Sequence, residues 1–325
     1  MDVRPKKALG QHFLTDQAIA RAIVDSLSPA PRVLEVGPGM GVLTQYLLAR
    51  VSVPPRSEVP AGGTKTGKSS ALPESSSRSG AGHPSASGVL LRSDKKILAP
   101  QAPLGSSGMP AGTSDIQLKV VEIDTESVVY LREHYPVLGP GLLEADFLKL
   151  PLNKVFAEPF SIIGNFPYNI SSQIFFHILD YRDLVPEVVC MIQKEVAERL
   201  AAGPGSKTYG ILSVLLQMWY DIEYRFTVGE GAFVPPPKVK SAVIRLTRNA
   251  RTEAGCDEAL LRRIVKATFN QRRKTIRNGL RSIGISDAGS SSTSDPSLPF
   301  LDARPEQLSV EDFISLTRAV EAAGK

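Results

Sequence analysis

The chain reads Ile162-Ile163-Gly164-Asn165-Phe166-Pro167-Tyr168-Asn169 where an apolar stretch gives way to a turn. Asn165 brings a carboxamide oxygen and Phe166 a main-chain carbonyl, two acceptors side by side. An aromatic amine such as N6 of adenine is a poor nucleophile, because its lone pair is delocalised into the ring. Acceptors that bind its hydrogens hold the nitrogen in line for attack on a methyl sulfonium. No strong general base is needed, since the product ammonium is acidic and its proton leaves afterwards; positioning and electrostatics supply the catalysis. Pro167 fixes φ and holds the turn open, and Tyr168 offers a face on which an extruded base can stack. This scheme implies no metal. A plain Asn-Pro turn is the alternative, and the motifs upstream argue against it.

Upstream, Glu35-Val36-Gly37-Pro38-Gly39-Met40-Gly41 follows a short apolar run and opens a helical one. Glycines let the main chain bend tightly and let a ligand come close to it. The spacing is G-x-G-x-G. A dinucleotide fold wants G-x-G-x-x-G, and position 42 is Val, which weakens a nicotinamide or flavin reading. Glu122, in Val121-Glu122-Ile123-Asp124, ends the next strand, where a carboxylate can accept both ribose hydroxyls of a nucleoside. In Glu144-Ala145-Asp146-Phe147, Asp146 ends a third strand and can accept from an adenine amine. One such acid reads more readily as an exposed loop charge. Acids in register at consecutive strand ends do not.

These groups need strands that end where the motifs begin. Residues 32–36, 118–123, a segment ending near 145, 160–164 and 188–193 are apolar runs that read as buried strands. Helical spacing marks 15–27, with Thr15 or Asp16 as N-cap, and then 42–50, 125–134, 171–179, 195–201 and 209–219. Later strands fall at 221–228 and 239–247. Strands alternating with helices imply an α/β fold, a Rossmann-like doubly wound sheet with helices on both faces. From about 252 the strands stop; 258–269, 273–282 and 310–322 read as helices of a small C-terminal domain spanning 251–325. The sheet domain would then comprise 1–51 and 116–250.

Between its two parts, residues 52–115 contain 14 Ser, 9 Gly and 8 Pro and no Phe, Tyr or Trp. Such a segment cannot bury enough apolar surface to offset its ordering entropy, and it reads as a disordered insertion in a surface loop. Without it, Glu122 falls near the ~20-residue distance expected of the ribose acid. A formal P-loop match, Gly62 to Ser69, lies within it but lacks the flanking strand and helix that a P-loop needs.

The formal charge of +5 permits a nucleic-acid partner. Residues 251–281 hold nine Lys and Arg against three Asp and Glu. Arg272, Arg273, Lys274, Arg277 and Arg281 fall at helical spacing, so several would share one face suited to phosphates; a solvated basic helix is the plainer reading. The two cysteines and four histidines show no zinc or other metal-ligand spacing, and Cys190 reads as a buried core thiol. The N-terminus has no apolar signal region, and no apolar run approaches the ~18 residues of a membrane span. A reducing cytoplasm is the expected compartment.

With these motifs assembled, the chain resembles the ribosomal RNA adenine N6,N6-dimethyltransferases, in particular the bacterial small-subunit type. The resemblance covers nearly everything outside 52–115. It is carried by Lys7-Ala8-Leu9-Gly10-Gln11-His12-Phe13-Leu14, by the turns and strand ends above, by Phe233-Val234-Pro235-Pro236-Pro237-Lys238-Val239-Lys240-Ser241, and by Phe269-Asn270-Gln271-Arg272-Arg273-Lys274. It implies a class I methyltransferase sheet and S-adenosylmethionine as cofactor. Gln11, His12 and Leu14 would lie over its methionine part, with Gly37 and Gly39 lining the turn. Glu122 would hold its ribose and Asp146 its adenine. Asn165 would stand between cofactor and target amine, and Tyr168 and Phe233 would flank the target base. The family often has Asn where this chain has His12; a main-chain contact is indifferent to that change.

The implied reaction is dimethylation of two adjacent adenosines in a 3′-terminal loop of 16S rRNA, in the 30S subunit or its precursor, by a monomer. Two rivals are a 23S rRNA adenine dimethylase of the antibiotic-resistance type and a noncatalytic RNA-binding assembly factor. The Phe-x-Pro-Pro-Pro-Lys-Val run and the Gln-Arg-Arg-Lys segment favour the 16S reading over the first. The intact Asn165 turn and glycine turn argue against the second.

Overall fold

The computed structural model describes residues 3–6, 9–51, 117–285 and 298–324. The insertion expected at 52–115, with its P-loop-like run, and Lys7-Ala8 lie outside them. The strands are β1 (Phe13–Leu14), β2 (Arg32–Val36), β3 (Gln117–Glu122), β4 (Leu142–Glu144), β5 (Ser161–Asn165), β6 (Glu187–Gln193), β7 (Tyr220–Val228), β8 (Phe233–Val234) and β9 (Ser241–Arg248). The helices are α1 (Gln17–Asp25), α2 (Thr44–Val51), α3 (Thr125–His134), α4 (Leu152–Val155), α5 (Ser171–Asp180), α6 (Lys194–Ala201), α7 (Ile211–Gln217), α8 (Glu258–Asn270), α9 (Ile276–Arg281) and α10 (Val310–Ala322). Asp16 caps α1, its carboxylate accepting the N–H groups of Ala18 and Ile19.

Seven strands form one sheet in the order β4-β3-β2-β5-β6-β9-β7. The first five are parallel; β9 is antiparallel to both of its neighbours. The sheet is therefore mixed. The few residues between β7 and β9 hold no crossover helix, so the chain must return antiparallel. Alternation along β6 sorts its side chains between two cores: Val188, Cys190 and Ile192 face one, Val189 and Met191 the other. Helices α1 and α2 cover the second core. The first takes α4 to α7 and also residues of α8, α9 and α10, so the C-terminal helices share the sheet's core.

The helix expected over 273–282 starts only at Ile276. Helix α8 stops at Asn270, and a turn follows in which Arg272 N–H donates to Phe269 O and Lys274 N–H to Gln271 O. Arg272, Arg273 and Lys274 therefore do not share a helix face with Arg277 and Arg281, which alone lie on α9. The cause is tertiary: α9 folds back on α8 so closely that a Cβ on Gly279 would sit 2.7 Å from Thr268 Cα. Spacing in the sequence cannot register that fold-back.

One feature of the topology decides where a ligand can go. From β2 the chain builds β3 and β4 on one side, then returns to place β5 and β6 on the other. The carboxyl ends of β2 and β5 thus flank a topological switch point, the crevice where open α/β sheets bind their ligands.

Candidate active site

The glycine turn leaves β2 at this crevice. Gly37, Gly39 and Gly41 adopt φ of 69°, 56° and 78°, a region that costs other residues about 1–2 kcal/mol each. Gly39 has a second reason to be glycine, since a Cβ there would lie 3.0 Å from the Phe13 ring. Glu122, 5% exposed at the end of β3, ties the turn down. Its Oε2 accepts Gly39 N–H at 3.1 Å, and its Oε1 accepts the N–H groups of Ile123 and Asp124, each at 2.9 Å. Burial raises its pKa and the three main-chain bonds oppose that rise.

Glu35, one strand in, is buried. Its Oε2 accepts the Thr44 hydroxyl at 2.6 Å, while Oε1 has no hydrogen-bond partner among the described residues. Burial, reinforced by the nearby Glu122 charge, pushes its pKa up to about 8 against the pull of Thr44. Asp146 lies at the end of β4. Its Oδ1 accepts Leu148 N–H at 3.0 Å, and its Oδ2 stands 3.5 Å from the Lys149 ammonium.

Across the crevice, β5 pairs with β2 so closely that a Cβ on Gly164 would meet Val36 O at 2.3 Å. That contact sets the Asn165 turn beside the glycine turn. The Asn165 Nδ2 donates to His12 O at 3.1 Å, which leaves Oδ1 as the acceptor end of the amide. Phe166 anchors the turn: its N–H donates to Met191 O at 3.0 Å and its ring packs edge-on to Phe175 in the core. Ile170 N–H closes the turn on Pro167 O at 3.2 Å. Tyr168 is half-buried; its hydroxyl bonds to Ser241 Oγ, and its ring stacks on the His12 imidazole.

The N-terminal segment reaches both turns. β1 pairs antiparallel with β8, Phe13 opposite Val234 and Leu14 opposite Phe233. The Gln11 side-chain oxygen accepts Lys6 N–H at 2.8 Å, and the Lys6 ammonium pairs with Asp124 and with Glu126. The structure thus gathers Gln11, His12, Gly37, Gly39, Glu122, Asn165 and Tyr168 around the switch point. Leu14 and Phe233 instead point into the core, and Phe233 is only 2% exposed.

A family model for ribosomal RNA adenine dimethylase matches residues 3–56 and 115–317. A ribosomal RNA small subunit methyltransferase A of Parabacteroides distasonis is 49% identical over 317 residues, covering 97% of this chain and 93% of its own length. The protein of that name from Phocaeicola vulgatus is 48% identical over 326 residues, covering 99% and 92%. The chain belongs to the ribosomal RNA adenine dimethylase family. The crystal structure of a dimethyladenosine transferase from Plasmodium falciparum shares the fold, with TM-score 0.63 at 19% identity over 96% of this chain and 98% of that one. The sheet is that of class I methyltransferases. The family match breaks between residues 56 and 115, almost the stretch that composition sets apart.

The roles of three residues at this candidate site escaped the sequence reading. Ile123, 51% exposed beside Glu122, presents an apolar surface fit for a nucleobase; an apolar residue directly after the strand-end acid was the available signal. Ser241, which holds Tyr168, could be found only once β9 was placed. Lys6 gave no signal at all, because its partners lie 118 and 120 positions away.

The buried carboxyl of Glu35 makes stability depend on pH. Its folded pKa is raised, so its contribution is complete below the ordinary value of 4.5 and is lost as pH rises to about 8. Glu35→Gln keeps an acceptor for Thr44 and removes the titration. Between pH 5 and 8.5 the wild-type melting temperature is expected to fall by at least ~3 °C more than that of the variant. Parallel melting profiles would show that Glu35 does not titrate in this range.

Proposed function

We propose that this chain uses S-adenosylmethionine to dimethylate the N6 amines of two adjacent adenosines in a 3′-terminal loop of 16S rRNA. It acts as a monomer in the cytoplasm, on the small ribosomal subunit or its precursor. One observation carries the reading: in a chain of this family, a glycine turn stapled by a buried strand-end carboxylate faces an Asn-Phe-Pro-Tyr turn across the switch point of the sheet. The residues fit the cofactor. Glu122 Oε1 already accepts two N–H groups, and Oε2, which accepts only Gly39 N–H, keeps a lone pair for a ribose hydroxyl; Ile123 supplies apolar surface and Asp146 an acceptor for the adenine part. Gln11 and the His12 main chain stand on the methionine side. When bound, the cofactor supplies a methyl group on a sulfonium.

The chain's own groups do the rest. Asn165 Oδ1 and Phe166 O accept the two hydrogens of the amine and aim its lone pair. Tyr168 carries the base on its open face; Phe233, buried in the core beside Leu14, takes no part in that contact. Burial raises the Tyr168 pKa, so the phenol stays neutral. The rival 23S reading is disfavoured because relatives at 48–49% identity over nearly the full chain carry small-subunit names. Labelled methyl transfer to undermethylated 30S particles, with naked 23S RNA as the competing substrate, tests the proposal. Preference for the 23S RNA would overturn it.

Phosphate contacts fall to the turn after α8. Arg272 is tied to Ser206 O at 3.1 Å and lies near Glu306, and Arg277 pairs with Asp302 at 3.1 Å. Arg273 and Lys274 are exposed. Arg272 and Arg277 each keep N–H groups beyond those that hold these partners. Reversing Arg273 and Lys274 to Glu is expected to weaken particle binding and to lower its logarithmic salt slope by about 0.7–0.9 per lost contact. Cofactor affinity should not move. An unaltered slope would place the RNA surface elsewhere.

A further inference from the structure

We infer that the His12 imidazole is a positioning residue for the target base: it backs the Tyr168 ring, so that His12, Tyr168 and the base form one stack. The inference rests on the reading above, in which Tyr168 carries the base.

His12 meets the catalytic turn at two points and the segment after β8 at a third. Its main-chain carbonyl accepts Asn165 Nδ2 at 3.1 Å. Its ring lies 5.4 Å from that of Tyr168, with 26° between the planes. Its Nδ1 lies 2.9 Å from Pro235 O, and since a carbonyl only accepts, Nδ1 carries the proton and donates. That bond fixes the plane of the imidazole. Pro235 directly follows β8, which pairs with β1 next to His12 itself, so donor and acceptor are held by one short ribbon.

The far end of Tyr168 is tied as well. Its hydroxyl bonds to Ser241 Oγ, fully buried at the start of β9. A phenol held at its hydroxyl and covered on one face can neither tilt nor slide. One face remains for a base, and its height above Asn165 is set by the imidazole behind. The same residue therefore registers both parts of the site. Its main chain orients the amide that binds the amine, and its ring sets the platform that carries the base. The two jobs use different atoms and can be separated by substitution. His12→Phe keeps a ring and loses the bond to Pro235. His12→Asn keeps a donor for Pro235 and loses the ring.

The test is steady-state methyl transfer by the full chain to undermethylated small-subunit particles at varied particle concentration, with cofactor affinity measured by calorimetry. His12→Ala is expected to lower kcat/KM for particles about tenfold, the scale of one aromatic stacking contact. Cofactor affinity should stay within about twofold, because the main chain is unchanged. His12→Phe should return activity to within about threefold of wild type, and His12→Asn should fall with His12→Ala. Should the alanine variant fail to fold, the comparison of Phe with Asn decides. The inference is overturned by a His12→Ala enzyme as fast as wild type or faster, since the imidazole would then be idle or standing in the base's own place. It is overturned equally if Asn rescues and Phe does not, if all three variants lose the same activity, or if cofactor affinity falls in step. Absence of methyl transfer by the wild-type chain would count against the parent reading instead.

Discussion

Asn165→Ala is expected to slow single-turnover methyl transfer by about 10²–10³-fold, the usual cost of removing one preorganised electrostatic group from a reacting centre. Oδ1 of this residue is a fixed acceptor because Nδ2 is committed to His12 O at 3.1 Å. Alanine leaves one amine hydrogen unbound, and the nitrogen lone pair stays delocalised and off line. Particle binding should remain within about twofold, since phosphates are held elsewhere and the amide touches none. The turn itself should survive, because Phe166 N–H on Met191 O and the buried Phe166 ring hold it independently. Asn165→Asp is a useful companion: it keeps an acceptor but gives up the donor to His12, so it should lie between alanine and wild type. A wild-type single-turnover rate in Asn165→Ala would mean that the amine is aimed by other groups.

Glu122→Ala is expected to act on both stability and binding. The carboxylate accepts three main-chain N–H groups, from Gly39, Ile123 and Asp124. Each buried donor left unpaired costs about 1–3 kcal/mol, although water entering the space of the lost side chain relieves part of it. A net loss of roughly 2–4 kcal/mol follows, which lowers the melting temperature by at least ~3 °C. As a ribose acceptor alone, Glu122 could be removed with the free protein melting normally. The structure makes it the staple of the glycine turn as well, so cofactor affinity should fall more than tenfold with Gly39 no longer held. Calorimetry with S-adenosylmethionine and a thermal melt without it read the two effects separately. Normal melting with weakened binding would confine Glu122 to the ribose; normal binding would remove it from the cofactor site altogether.

Several elements could be read directly because their patterns are local. The apolar run of β2 ending at Gly37, the full length of α3 from Thr125 to His134, and the apolar stretch of β6 all follow from period and turn residues. The glycine turn and the Asn165 turn could be read for the same reason: each packs its chemistry into a few consecutive residues. The helix at 273–282 could not, since Arg272, Arg273 and Lys274 have helical spacing but the packing of Gly279 on Thr268 forces a turn there. β1 and β8 span two residues each, too short to show a period, and they exist only through one another.

By itself the sequence determined which residue types stand at the ends of the strands, and with them the chemistry available: main-chain and carboxamide acceptors, a strand-end acid, an aromatic face. Covalent neighbours need no fold to be known. Which of these groups meet was decided only in three dimensions. The order β4-β3-β2-β5-β6 brings two turns 128 positions apart in sequence, at Gly37 and Asn165, to one crevice. The β1–β8 pairing sets His12 against Asn165 and Tyr168, and it turns Leu14 and Phe233 inward. These contacts arise because burying apolar faces on both sides of a sheet fixes strand order and register, and strand order is a property of the whole chain rather than of any segment.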